Sequence, residues 1–175
     1  MKQICMGLLC SALLLFSTAL QAQQDKTKRA SPPARVTQTI ASGATISIDY
    51  SQPSLKGRSV GKDVEPMKGQ VWRMGANEAT VFTADKDVMV EGQPLPAGKY
   101  GLWGLWGDDG YTLIFNKANN VWGTQYEENK GKDVLRVVVR PRMTEKVQEQ
   151  LKYTISKTGE VSLLWGNMAI GFKVQ

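Results

Sequence analysis

The chain has 175 residues, a formal net charge of +6, no histidine and only two cysteines, Cys5 and Cys10. That composition excludes an imidazole base, a serine–histidine–aspartate triad and a histidine-based zinc site. Any catalysis has to come from carboxylates, lysine, tyrosine, serine or arginine.

At the N-terminus, Lys2 precedes an uncharged apolar run from Ile4 to Leu20, and Leu20-Gln21-Ala22 offers a small residue at a cleavage position. This is the layout of a secretory signal peptide over residues 1–22. A retained anchor is the competing reading, but Ser11, Ser17 and Thr18 dilute a run already at the short limit for a spanning helix. Lipid attachment at Cys10 is disfavoured by the bulky Leu9 before it. Removing 22 of the 175 residues leaves 153, enough for one domain with its own core. It also removes both cysteines, so the mature chain has no disulfide and no thiol nucleophile, and no membrane span is expected in it. The expected location is periplasmic or secreted.

Residues 23–33 are polar and end in Pro32-Pro33, which reads as a flexible tether. From Ala34 to Gln175 the dominant period is two. Arg35–Ile40 and Thr45–Tyr50 form a predicted hairpin around Ala41-Ser42-Gly43, with Ile46, Ile48 and Tyr50 on one face. Further strands are predicted over 80–84, 88–91, 99–106, 111–116 and 134–140, separated by Asp85-Lys86-Asp87, Pro96-Ala97-Gly98 and Gly107-Asp108-Asp109-Gly110. Three more close the chain, at 150–157, 160–165 and 168–174. Residues 144–151 are the one helical candidate and read better as a connection. Short, regularly interrupted strands without amphipathic helices between them predict an all-β fold. It is read as a single antiparallel β-sandwich, jelly-roll-like or Ig-like.

The segment Val71-Trp72-Arg73-Met74-Gly75-Ala76-Asn77-Glu78 gathers an aromatic, a guanidinium, an amide and a carboxylate just before a strand. Gly75 and Asn77 both tolerate left-handed backbone, so a sharp turn is expected to bring Arg73 and Glu78 together. Either the two pair with each other to satisfy a buried turn, or they await a ligand suited to a planar guanidinium fork. Trp103 and Trp106 lie at odd and even positions of one strand and so face opposite sides. One is expected in the core and the other exposed or over a sheet edge. Trp122 lies in a loop beside Asn119, Asn120 and Gly123. Exposed rings among amides could stack on sugars, although core packing is the commoner fate of tryptophan. Gly101 and Gly104 imply close approach of another backbone.

Basic residues gather over 56–73, including Arg58, and over 130–146. They make either a solvated basic surface or one attractive to anionic envelope polymers. Export and the lack of a groove-reading motif argue against nucleic acid. Carboxylates that could form a hydrolytic pair (Asp49, Glu65, Glu78, Asp108, Glu127) have no fixed separation. Neither Asp108-Asp109 nor Asp85 with Asp87 has the alternating oxygen ligands of a calcium loop, and hairpin turns explain both. No catalytic residue, metal or cofactor is predicted.

Several pieces together carry a resemblance to a known family: Trp72-Arg73 with Gly75-Ala76-Asn77-Glu78; Ser51 with Pro53 and Lys56-Gly57-Arg58; Leu95-Pro96-Ala97-Gly98 with Tyr100; Ile114-Phe115-Asn116-Lys117; Trp122-Gly123; and Asp133-Val134-Leu135-Arg136-Val137. Residues 31–175 resemble the secreted bacterial proteins grouped as domain of unknown function 2911. The departures are Gln52, where arginine is often found, and Trp106, an added aromatic. The resemblance implies export and an all-β domain, and transfers no catalytic residue. The resulting expectation is a non-catalytic binding domain of the cell envelope. Its candidate ligand-binding residues are Arg58, Arg73, Asn77, Glu78, Trp106 and Trp122, and its candidate partners are an envelope glycan, a small anion or a protein. The alternatives are a hydrolase or lyase working through Glu78 and Arg73, or a structural accessory domain of an envelope assembly.

Overall fold

A computed structural model describes residues 25–175; the signal peptide expected over 1–22 lies outside them. The alternating hairpin forms as β1 (Pro33–Thr39) and β2 (Thr45–Ser51), paired antiparallel from Pro33 with Ser51 to Thr39 with Thr45. Ile46, Ile48 and Tyr50 are buried on one face. A short strand β3 (Val71–Trp72) and then β4 (Thr80–Ala84) follow. A small ribbon comes next, β5 (Val88–Val90) with β6 (Gln93–Leu95), then β7 (Gly98–Trp106) and β8 (Tyr111–Asn116). After one helical turn, α1 (Tyr126–Asn129), the chain ends in β9 (Asp133–Val139), β10 (Arg142–Ile155) and β11 (Glu160–Lys173).

The main sheet runs β1-β2-β4-β7-β8-β9, with β3 also paired to β7. The facing layer is the long β10–β11 hairpin. Backbone hydrogen bonds between Met89 and Gln175 attach the β5–β6 ribbon along one edge of it. Leu55 N–H to Glu149 O and Leu151 N–H to Pro53 O add residues 53–55 along the other. The two layers close over Phe82 and Phe115 from one side and Phe172 from the other, with ring centroids 5.3, 6.5 and 6.2 Å apart. Burying each such ring contributes about 2–3 kcal/mol, so three meeting across the layers fix the sandwich. This is an all-β, antiparallel sandwich-like fold.

The closing segments differ from the sequence-based expectation. Residues 144–151 are neither helix nor connection but the middle of β10. Their apolar content is low because this arm is solvent-exposed on much of its length, with Met143 and Val147 at the surface. The strands expected at 160–165 and 168–174 are one strand, β11. Gly166 does not break it: at φ +60° it sits opposite Gln148, where the pairing register shifts. A β-bulge absorbs the irregularity and the ladder continues.

The outer face of the main sheet carries a second, smaller core of Ala79, Trp103, Ile114 and Tyr126, with Val71, Leu105 and Val121 packed around it. The loop through α1 covers that face. β7 is therefore covered on both sides, which is why residues Tyr100 to Gly104 are all buried. Trp103 and Trp106 do face opposite sides: Trp103 packs against Tyr126, whereas Trp106 is half-buried at the rim of the main core and overlies Gly61. Gly101 is approached by the backbone carbonyl of Ala118, as expected. At Gly104 the nearest neighbour is instead the ring of Tyr111.

Candidate functional site

β3 and β4 both pair with β7, end to end, so residues 73–79 between them form an excursion that leaves the sheet and returns. Thr80 N–H donates to Arg73 O at 3.3 Å and closes its base. Inside, the polar groups are stitched one by one. Met74 O accepts from Thr80 Oγ1 at 3.1 Å and from Tyr153 Oη at 2.9 Å. Gly75 O accepts from Trp72 Nε1 at 3.0 Å, and Asn77 O accepts from Gly123 N–H at 3.0 Å. Asn77 Nδ2 donates to Ser31 O at 3.0 Å, and Ala79 N–H donates to Val121 O at 3.1 Å. Buried carbonyls need such partners, so this bonding accounts for the shape of the turn.

The left-handed positions are Met74 (φ 52°) and Asn77 (φ 62°) rather than Gly75 and Asn77. Asparagine tolerates that region well. Glycine is needed at 75 for space, since a Cβ there would lie 2.9 Å from Thr80 Oγ1 and 3.2 Å from the carbonyl of Ser51.

The expected meeting of Arg73 and Glu78 does not occur. Glu78 instead accepts from Arg29 Nη1 through both carboxylate oxygens at 2.9 Å, and pairs with Lys26 Nζ at 3.1 Å. Burial acts to raise its pKa, but hydrogen bonds from Arg29, its own backbone and Lys26 outweigh this and hold it at about 2. From Asp25 onward, the segment read as a tether is held against the domain: Lys26–Lys28 form a single 3-10 turn, and Arg29 and Ser31 dock onto Glu78 and Asn77.

Arg73 is treated differently. Its Nε is buried without an acceptor, and no ion pair among the described residues includes it. Its side chain runs across Gly123 so closely that a Cβ there would overlap Arg73 Cδ and stand 2.8 Å from Nε. Arg73 lines a polar cleft of about 190 Å³ together with Arg58, Glu65, Ser31, Trp72 and Trp165. Arg58 is fixed at the rim by Nε to Leu55 O and Nη2 to Ser54 O, both 2.9 Å. Trp165 Nε1 donates to Glu65 O at 2.9 Å and holds the opposite wall.

Of the six residues singled out from sequence, the fold brings Arg58 and Arg73 to one cleft. Asn77 bonds the carbonyl of Ser31 in its lining, Glu78 lines a different cleft, and Trp122 is 48% exposed with its backbone bridged to Glu78. Trp106 does not line the cleft. Sequence reasoning missed Arg29, Lys26 and Tyr153. The first two sat in a stretch that carries no periodicity, and Tyr153 is 79 positions from the carbonyl it caps. No group of three or more metal-ligating side chains is found among the described residues, and no helix there is long and apolar enough to cross a membrane. No curated protein and no solved structure matches the chain. Residues 31–174 match the family described as "Protein of unknown function (DUF2911)", and the chain belongs to that family.

Proposed function

We infer that this protein is an exported, non-catalytic binding domain of the cell envelope, and that Arg73 is the anchor for an anionic group. The observation that carries this reading is the contrast within one segment. Trp72, Gly75, Asn77, Glu78 and Thr80 all have structural partners, whereas Arg73 Nε is buried without an acceptor and Arg73 joins no ion pair among the described residues. Glycine at position 123 leaves the slot that the side chain occupies. A buried donor without an acceptor costs about 1–3 kcal/mol, so the segment keeps Arg73 Nε at a cost that a ligand would offset. A planar fork beside a second arginine suits a carboxylate, sulfate or phosphate.

The test is a thermal-shift and calorimetric screen of small anions against the wild type and Arg73→Gln. A ligand that binds only the folded state raises the melting temperature by mass action. Stabilisation by a carboxylate, sulfate or phosphate that disappears in Arg73→Gln, but survives in Glu78→Gln, is the expected outcome. Equal stabilisation of wild type and Arg73→Gln would end the assignment. Release of product in the same wells would replace binding by catalysis.

A further inference from the structure

We propose that the outer face of the main sheet carries a second, extended site for an acidic polysaccharide chain, independent of Arg73. Two cavities of about 440 and 220 Å³ lie side by side there and share Asp49, Val81, Asn119 and Asn120, so they form one trough. Its floor is made of the small outward side chains Val81 and Thr83 of β4. The docked residues Lys26 and Arg29 line one part of it, and the Asn119-Asn120 turn another.

The chemistry of the walls selects the partner. Four cations line the trough (Lys26, Arg29, Arg35 and Lys99) against two carboxylates, Asp49 and Glu78. Lys26 and Arg29 are committed to Glu78, and Arg35 Nη1 lies 3.5 Å from Asp49. Lys99 is exposed and forms no ion pair among the described residues, and the exposed Asn120 and half-buried Thr83 add an amide and a hydroxyl. Asn119 Nδ2 bonds the carbonyls of Lys99 and Lys117 at 3.0 Å, which fixes that part of the lining. Amide, hydroxyl and carboxylate groups in one trough match a ligand presenting alternating hydroxyl donors and acceptors. The excess of positive charge adds a requirement for acidic substituents along it. No exposed aromatic ring lines the trough, so the base-stacking platforms that single-stranded nucleic acid uses are absent from it. Two adjoining cavities that share four lining residues favour an extended chain over a single small anion.

Binding of the full chain to polygalacturonate and to uncharged dextran is measured by affinity electrophoresis and calorimetry, for wild type, Lys99→Glu, Thr83→Trp and Arg73→Gln. Circular dichroism melts establish that each variant is folded. Polygalacturonate is expected to bind and dextran not. Lys99→Glu weakens binding at least about tenfold by placing like charge against the polymer. Thr83→Trp, which fills the floor, does the same, and Arg73→Gln leaves binding unchanged. Absence of polygalacturonate binding overturns the proposal, as does equal binding of dextran or indifference to both trough variants. Loss of binding in Arg73→Gln alone would move the polymer to the other cleft and equally overturn it. Because Arg73→Gln is silent here and decisive for the small-anion reading, failures of the two are distinguishable.

Discussion

Gly123→Ala is the sharpest probe of the Arg73 slot. Gly123 is not among the positive-φ glycines, so alanine meets no backbone strain there and the effect is purely steric. The new Cβ would overlap Arg73 Cδ and stand 2.8 Å from Arg73 Nε and 2.6 Å from the Asn77 carbonyl. Overpacking of this kind costs about 1–3 kcal/mol. The Gly123 N–H to Asn77 O bond, 3.0 Å long, is strained by the same displacement; its loss adds about 1 kcal/mol. The expected destabilisation is therefore ~2–4 kcal/mol. Part of it is relieved by removing the arginine, because Arg73→Ala clears the Cδ and Nε overlap but leaves the Asn77 carbonyl in place. Urea unfolding of the two single variants and the double variant completes a cycle, with an expected favourable coupling of at least ~1 kcal/mol. A Gly123→Ala variant within about 0.5 kcal/mol of wild type, or strictly additive variants, would refute the slot.

Glu78 gives a pH test. Its folded pKa of about 2 lies below its ordinary value of 4.5, so its contribution is fully present above pH 4.5 and is lost as pH falls from 4.5 towards 2. Glu78→Gln should therefore destabilise the protein at neutral pH and progressively less below pH 4.5, read from urea midpoints at each pH; a constant difference would mean that the ion pair with Arg29 is not formed in solution. Ile48 is fully buried and Thr45 lies partly exposed at the start of the same strand. Ile48→Asp should cost more than about 4 kcal/mol or prevent folding, and Thr45→Asp should be mild. Comparable melting temperatures for the two would overturn the face assignment.

The parts of the fold legible in the sequence are those where one physical signal dominates. Ile46, Ile48 and Tyr50 alternate because β2 has one face in the main core, and period two announces it. The turn at Gly107–Gly110 is read as easily, since Gly110 adopts φ +145°. The failures occur where long-range pairing overrides local pattern. Residues 144–151 bury too little to alternate, and only β11 and residues 53–55 across from them make them a strand. Gly166-Asn167 looks like a turn until a bulge opposite Gln148 accommodates it. At the candidate site the sequence marked the segment correctly as a special turn but mispaired its charges. Arg29 is 49 positions from Glu78, and nothing local distinguishes it from the other cations of a polar stretch.

That mispairing bears on the chemistry open to the segment. A hydrolase or lyase working through Glu78 would need it to hold a proton as general acid, or to offer a free lone pair as general base, near its working pH. With a pKa of about 2, Glu78 is ionised throughout the neutral range and cannot act as the acid. Both of its oxygens accept from Nη1 of Arg29, with Lys26 beside them, so a base would first have to break that ion pair. Arg73 meanwhile lines a different cleft. Depression of a carboxyl pKa by neighbouring cations is the signature of a structural clamp rather than of a tuned acid, which is raised by burial instead. Glu78 fastens residues 26–29 over the outer sheet face, and in doing so it builds one end of the polar trough. Five positions earlier, Arg73 Nε is buried without an acceptor among the described residues.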